Sequence, residues 1–409
     1  MYDPLWAAIT YVSAFILLYV NVIYVALIIR FHKLLSWTPV ELSDKELPTI
    51  SVIVPAYNES ENIKYTIESI LASDYPRKKL EVIVVDDGST DDTYEHAKKF
   101  EKLGVRVFKK ANGGAADAKN YGAFKSKGQL ITTLDSDTRI DPQALRRLAA
   151  YFAEPEVAAV SAAVRVYSPK KIIEKIQSIE YDVILLLRRM IMGVESVYVT
   201  PGGLSMFRRE PFMKVGGFNK DSVTEDQEIA INLQKKGYKI RASLEAFSYT
   251  IVPDTISSLL KQRTRWLRGG IWNRIFHKDL YTARSGDFLF FGMMFDFVFS
   301  IPLVIFGLSL IRSVIYNGQW IERLGYIEML SLSIDPLVLA SLVVTIAGIP
   351  WVIFMTNTLR SRAGEKKIGF NDLVPLFLFI FVYGYIWVFV WIMTIFQELK
   401  GGGYQWSTR

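Results

Sequence analysis

The sequence predicts an α/β domain with a mostly parallel sheet, set between segments long and apolar enough to enter a bilayer. Between residues 48 and 250, short apolar runs of strand length alternate with stretches of helical periodicity. That order yields parallel strands covered by helices on both faces. Outside the block lie stretches almost without charge, 5–29 upstream and 288–311, 336–359 and 373–396 downstream. A bilayer core about 30 Å thick needs only about 20 helical residues at about 1.5 Å each, so each stretch is long enough to cross.

Composition agrees. Of the 409 residues 51% are hydrophobic, and mean hydropathy is +0.21, too apolar for an ordinary globular protein. The net charge is +7, but no basic helix interleaved with base-stacking aromatics occurs, and Lys and Arg gather beside the apolar stretches. Anionic lipid headgroups rather than nucleic acid are the expected counter-charge. Without Cys, a disulfide framework, a thiol nucleophile and a Cys-based zinc site are excluded. The first apolar stretch begins Met1-Tyr2-Asp3 and ends in Arg30-Phe31-His32-Lys33, unlike a cleaved signal peptide with its basic start. Its basic end belongs in the cytoplasm. The link after 359 carries Arg360, Arg362, Lys366 and Lys367, whereas the link after 311 is mixed in sign, which puts the 48–250 block on the cytoplasmic side. Simple alternation then leaves the C-terminus outside.

Within the block, the first strand, 50–54, ends in Pro55-Ala56-Tyr57-Asn58-Glu59, and residues 62–71 have helical apolar spacing. A second strand, 80–85, ends in Asp86-Asp87-Gly88-Ser89-Thr90-Asp91-Asp92. Ligands of parallel sheets bind at such carboxyl ends, though Asp is equally a turn and cap residue. A third run, 105–108, leads into Asn112-Gly113-Gly114, where the backbone can approach a ligand or form a plain loop. The fourth strand, 130–134, runs into Asp135-Ser136-Asp137. Residues two apart on extended backbone share a side, so both carboxylates can face one cation, and a divalent metal on a diphosphate would relieve their repulsion.

Farther on, 204–209 reads as a strand leaving the sheet after the loop Thr200-Pro201-Gly202-Gly203. Glu225-Asp226 opens a helix with Thr224 as its cap. Residues 256–276 form an amphipathic helix carrying Gln262-Arg263-Thr264-Arg265-Trp266, whose basic face by itself suits a membrane surface. A second amphipathic stretch, 172–191, carries Lys171, Lys175, Arg188 and Arg189. It is expected at the interface, without chemistry.

In this order, Pro55-Ala56-Tyr57-Asn58-Glu59, Val85-Asp86-Asp87-Gly88-Ser89, Asp135-Ser136-Asp137, Gly216-Gly217-Phe218, Thr224-Glu225-Asp226 and Gln262-Arg263-Thr264-Arg265-Trp266 resemble the signature of the processive family-2 glycosyltransferases, the group of cellulose, chitin, hyaluronan and poly-N-acetylglucosamine synthases. The resemblance covers 48–273 and implies a GT-A fold that binds a nucleotide sugar and inverts the anomeric centre. It implies that Tyr57, Glu59 and Asp87 contact the nucleoside and Asp86 the donor region. Asp135 and Asp137 become the Asp-x-Asp pair, with Asp137 binding Mg²⁺ or Mn²⁺. Asp226, beside Glu225, becomes the general base, and Gln262, Arg263, Arg265 and Trp266 serve the acceptor and the diphosphate. The sequence departs from the pattern at 112–120: many synthases carry Lys after the glycines and Leu before the Asn, whereas this chain has Ala115 and Lys119. Ala115 removes that donor contact unless Lys119 supplies it from one helical turn later. The tail Trp406-Ser407-Thr408-Arg409 resembles a Trp-x-Thr-Arg element of a cytosolic gating loop in hyaluronan synthases. That placement conflicts with alternation unless the 288–311 stretch, interrupted by Asp296, lies at the interface.

The expected organisation is an N-terminal transmembrane helix (1–33), a cytosolic GT-A domain (48–250), interfacial helices (251–287), C-terminal transmembrane helices (288–397) and a tail (398–409). The expected protein is a multi-pass plasma-membrane enzyme extending a β-linked polysaccharide from UDP-N-acetylglucosamine or UDP-glucose. The rival expectation is single addition to a lipid such as a polyprenyl phosphate or diacylglycerol. A catalytically silent scaffold is disfavoured by intact carboxylates at every motif position.

Overall fold

The computed structural model describes residues 12, 15, 19, 22, 23, 25–278, 349, 350, 352–354 and 356–400. An eight-stranded sheet organises them, with strands β1 (Ile50–Ala56), β2 (Leu80–Asp86), β3 (Arg106–Lys109), β4 (Leu130–Thr133), β5 (Thr138–Ile140), β6 (Val157–Val166), β7 (Ser205–Arg208) and β8 (Lys239–Thr250) in the order β3-β2-β1-β4-β7-β6-β8-β5. Side-chain alternation on β1 shows why the sheet is covered twice. Val52 and Val54 join Ile63 and Ile67 of helix Ile63–Leu71 in one core, and Ile53 points the other way into the core holding Ile229 and Leu233 of helix Glu225–Lys235.

The parallel arrangement expected from the sequence holds for β1 to β4, where β1 pairs in parallel with both β2 and β4, and β2 with β3. Beyond β4 the sheet is mixed. The 204–209 strand does not leave the sheet; as β7 it lies between β4 and β6, antiparallel to both. Strand β6 is buried along its whole length and pairs in parallel with β8, while the short β5 pairs antiparallel with β8. In β6 four alanines interrupt the valines, and pairing on both sides supplies the extended preference that the alanines lack.

Both amphipathic helices turn charged side chains inward. On helix Ile172–Met192, Arg189 is fully buried and donates to Leu34 O (2.8 Å), Tyr151 Oη (2.9 Å) and Ala242 O (2.5 Å). Those carbonyls tie the chain after the first apolar stretch to the sheet, and Leu27 joins the same core as Met190 and Ile191. Asp182 on that helix meets Arg165 of β6 at 3.0 Å and Arg360 at 3.6 Å, docking the segment before the last helices.

Among the described residues no single helix is long and apolar enough to cross a membrane; Phe370–Ile380 and Tyr383–Leu399 meet the criterion only together, across a 42° bend. The sequence reads 373–396 as one continuous stretch, but it breaks at Val382, just before the buried Tyr383 and Gly384, glycine being a common site of kinks. Most of the 5–29 and 336–359 stretches, all of 288–311 and the 398–409 tail beyond Lys400 lie outside the described residues.

Candidate active site

A cavity of about 360 Å³ opens at the carboxyl ends of the strands and is lined by Tyr57, Glu59, Asp87, Asp135, Asp137, Glu225, Asp226, Gln262, Arg265 and Trp266. Of the twelve side chains singled out from the sequence, Asp86 and Arg263 are absent from this wall.

The loops after β1 and β2 are fastened to each other. Asn58, at φ 53°, accepts at Oδ1 from the Thr90 amide (2.9 Å), and the Glu59 amide donates to Thr93 Oγ1 (2.7 Å). The Asp87 carboxylate, almost wholly buried, accepts from the amides of Gly113 (3.0 Å) and Gly114 (2.7 Å) and from Lys110 Nζ (2.5 Å). The glycine loop therefore wraps around a protein carboxylate, and Asp87 reaches the cavity as the fixed centre of that loop. Asp86 points the other way, as neighbours on a strand must. It is fully buried, its oxygens make no hydrogen bond, and Lys109 is 3.9 Å away. Asp86, expected beside the donor, is therefore placed behind the cavity wall rather than on it.

Asp135 and Asp137 stand on the same wall. The Asp135 amide donates to Gly202 O (3.0 Å), and a Cβ at Gly202 would overlap the Asp135 carboxylate, so the Pro201-Gly202-Gly203 turn can close over it only without a side chain. Asp137 Oδ1 accepts from Thr138 Oγ1 (3.1 Å) and Thr250 Oγ1 (3.4 Å). Among the described residues no group of three or more His, Asp or Glu side chains is placed to hold a metal alone. Sites for Mg²⁺ that arrive with phosphates use one or two carboxylates, with phosphate oxygens and water as the other ligands. Asp137, beside Asp135, suits an ion of that kind.

Glu225 and Asp226 open helix Glu225–Lys235. The Asp226 carbonyl accepts from the Thr200 amide (3.1 Å) and Oγ1 (2.8 Å), and its Oδ1 accepts from the Gln227 amide (2.9 Å). Burial, then the neighbouring Glu225 charge, pushes the Asp226 carboxyl up to about 6, against the pull of Lys119 and Arg265. A carboxylate so raised is a stronger base yet still ionised at neutral pH. Burial acts to raise Glu225 as well, but the Lys119 ammonium at 2.8 Å holds it below the usual carboxylate range.

Helix Ile256–Phe276 closes the far side. At 100° per residue, positions i, i+3 and i+4 share a face, so Gln262, Arg265 and Trp266 line the cavity together while Arg263 is carried away from it. Arg263 is fully buried against Glu180, with N···O 2.5 Å, and its guanidinium lies 4.0 Å from the centroid of Trp266. Arg263, expected at the diphosphate, is turned from the cavity by helix phase, and of the two arginines only Arg265 faces it. The helix is seated by contact: a Cβ at Gly269 would overlap Thr224 Oγ1, and Asn273 Nδ2 donates to Thr224 Oγ1 (3.0 Å) and Gln227 Oε1 (2.9 Å).

Of the cavity residues not singled out as site residues from the sequence, three carry titratable side chains. Lys119 bridges two of the carboxylates. Tyr181 and Arg188 come from helix Ile172–Met192, where Tyr181, Ile184, Leu185 and Arg188 make a continuous i, i+3, i+4, i+7 stripe along the cavity. That spacing was present in the sequence, but apolar and basic residues on one helix read equally well as a membrane-facing surface.

Comparison with known proteins fits this arrangement. Over 266 residues the chain is 31% identical to a poly-beta-1,6-N-acetyl-D-glucosamine synthase of Staphylococcus aureus (strain COL), covering 64% of either sequence. It is also 31% identical over 279 residues to the Staphylococcus epidermidis enzyme of that name, covering 67% of this chain and 66% of the other. The chain thus spans a little under two thirds of the S. aureus relative's length. The mannosyltransferase PcManGT from Pyrobaculum calidifontis, solved in complex with GDP-Man and Mn²⁺, superposes with a TM-score of 0.61 at 19% identity over 98% of this chain and 100% of that one, so the two share a fold. Residues 51–216, from β1 to the turn after β7, match the glycosyl transferase family 2 model, and the chain belongs to that family of glycosyltransferases.

Proposed function

We propose that this chain is a membrane-embedded, inverting hexosyltransferase that extends a β-linked polysaccharide from UDP-N-acetylglucosamine or UDP-glucose and delivers the product across the membrane. The observation that carries this reading is the convergence of Asp137, Asp226 and the Gln262, Arg265 and Trp266 face on one cavity. The poly-N-acetylglucosamine synthases among its relatives support a polymer product.

In this reading the nucleoside lies against Tyr57, Glu59 and Asp87, and the diphosphate lies by Asp135 and Asp137. A divalent ion, Mg²⁺ or Mn²⁺, held at Asp137 would neutralise charge on the diphosphate. Asp226 takes the proton from an acceptor hydroxyl as that oxygen attacks the anomeric carbon. The bond from that carbon to the diphosphate oxygen breaks on the opposite side, which inverts the centre. The departing diphosphate keeps the electron pair, and Arg265 meets its charge with N–H donors. Trp266 gives the acceptor sugar an apolar face, and Gln262 adds an amide for its hydroxyls.

The reading places the chain in the plasma membrane with the catalytic domain in the cytoplasm. Uncharged stretches in the sequence and the exposed Phe377, Phe389, Ile392, Ile395 and Phe396 on the last two helices support it. The test is incubation of the purified protein with radiolabelled UDP-N-acetylglucosamine, UDP-glucose and GDP-mannose separately, with Mg²⁺ or Mn²⁺. A ladder of products with a UDP-sugar is the expected result. A single organic-extractable species would replace the polymer with a lipid acceptor.

A further inference from the structure

The departure from the family pattern at Ala115 and Lys119 has a structural counterpart. Positions 115 and 119 lie one turn apart on helix Ala115–Lys125, whose first turn borders the cavity. The Lys119 side chain is engaged with carboxylates. It is 2% exposed, and its ammonium sits 2.8 Å from Glu225 Oε1 and 3.7 Å from Asp135 Oδ1, over the ring of Phe218 at 5.4 Å. Phe218 is itself held by the next residue, since Asn120 Nδ2 donates to Phe218 O (2.7 Å) and Asn120 Oδ1 accepts from its amide (2.9 Å).

A buried ammonium is costly unless paired, and removing one partner of such a pair leaves the other charge stranded. Here the pair joins two motifs far apart in sequence, the Asp-x-Asp loop and the helix start that carries Asp226. It also separates the roles of adjacent carboxylates. Both line the cavity, but the Glu225 carboxylate is engaged by Lys119, whereas Asp226 Oδ1 accepts from the neighbouring Gln227 amide.

We infer that Lys119 is a positioning residue of the transfer reaction: its ammonium locks Asp135 to Glu225 and leaves Asp226 as the carboxylate presented to the acceptor. The inference rests on the reading of Asp226 as the base. A misplacement of about 1 Å at a reacting centre can cost about 10²-fold in rate, so a modest shift of the helix start on losing this tie is enough to matter.

The charged groups that act on Asp226 are Glu225 and Asp135, which raise its proton affinity, and Lys119 and Arg265, which lower it; Arg188 also interacts with it. This gives a signature that a purely structural lysine would not produce. Lys119→Met removes a positive charge, so the acid limb of the kcat/KM profile moves to higher pH. Glu225→Gln removes a negative charge, so the limb moves to lower pH. The double variant Lys119→Met/Glu225→Gln removes both and brings the limb back toward the wild-type position. Lys119→Met is expected to lower kcat by about ten- to a hundredfold, and Lys119→Arg, which keeps the charge, to recover part of it.

The measurement is polymer synthesis by the purified full chain across pH, with the UDP-sugar that supports activity. Unchanged kcat with an unmoved acid limb in Lys119→Met, or limbs moving the same way in both single variants, would overturn the inference. So would recovery of donor KM by Ala115→Lys in the Lys119→Met background, which would make Lys119 a relocated donor contact. Asp226→Asn separates this from the wider reading: if that variant keeps synthesising polymer, the assignment of the base fails whatever Lys119 does.

Discussion

The strand-end half of the cavity and the helical half are built by different means. On the strand side, carboxylates stand at the ends of parallel strands and are held by backbone amides, hydroxyls and one lysine: Asp87 by the Gly113 and Gly114 amides and Lys110, Asp137 by Thr138 and Thr250. On the other side, helices supply the wall and are held by buried ion pairs between distant segments, Lys119 with Glu225 and Arg263 with Glu180. Strand-end groups depend mainly on register, whereas helix-borne groups depend on phase and on what the rest of the chain packs against them. The helical half is therefore where single substitutions should separate chemistry from architecture.

The largest expected effect is at the chemistry. On the proposed role of Asp226 as base, Asp226→Asn keeps the shape of the side chain but removes the ionisable carboxylate, and general-base help is worth about 10²- to 10⁴-fold. The variant should lose at least that much of kcat while its KM for the UDP-sugar changes little. The same proposed role predicts the pH dependence of the wild type. A base works only when ionised, and burial pushes the Asp226 carboxyl up to about 6, so kcat/KM should climb as pH rises through about 6 and level off above it. An acid limb near the ordinary Asp value would remove the burial and the Glu225 contribution from the account.

The two arginines of the Gln-Arg-Thr-Arg-Trp motif make the sharpest contrast. Arg263→Met strands the buried Glu180 carboxylate, a loss of about 3–5 kcal/mol for a broken buried pair, read as a lowered unfolding midpoint of the purified protein. Arg265→Met faces the cavity and should cost turnover with little change in that midpoint. Equal destabilisation by both would mean that helix phase does not divide their roles.

This contrast also marks how far the sequence could be read. The strands before β5 and the acidic clusters at their ends were legible because each is a local pattern, an apolar run closed by polar turn chemistry. Arg263 and Arg265 differ by 200° of helix phase, but which face meets the cavity depends on Thr224, Asn273 and Glu180, none of them nearby in sequence. Asp86 and Asp87 show the same limit on a smaller scale: alternation separates them, yet only the sheet's surroundings decide which one reaches the cavity. Strands β6 and β8 were missed because Ala and charged residues in them take their extended form from neighbours. Lys119 was noticed as a departure, but a lone Lys on a short helix gives no sign that Glu225 will come to meet it.

A smaller effect is expected where the catalytic helix touches the start of helix Glu225–Lys235. Gly269→Ala places a methyl against both Oγ1 and Cγ2 of Thr224, an overpacking that typically costs about 1–3 kcal/mol. Because Gly269 is one turn from Arg265 and Trp266, relief by sliding the helix should lower kcat as well as stability. Adding Thr224→Ser, which removes the methyl but keeps the hydroxyl that Asn273 bonds, should recover part of both. Absence of any recovery would show that the contact does not set the helix position.

The smallest effect tests whether the last helices are joined to the catalytic helix. Tyr383, at the bend between the two apolar helices, donates its hydroxyl to Glu180 Oε2 at 2.9 Å, the oxygen that also holds Arg263. Tyr383→Phe removes one donor and leaves the ion pair intact, so a stability loss of about 1 kcal/mol is expected. In Arg263→Met, Glu180 has already lost its main partner, and the same Tyr383→Phe change should cost a different amount. Side chains sharing one hydrogen-bond network typically show coupling of about 0.5–3 kcal/mol, whereas independent sites add. A double-mutant cycle on unfolding midpoints measures that coupling. Strict additivity would mean that the bend and the catalytic helix are neighbours without being mechanically linked.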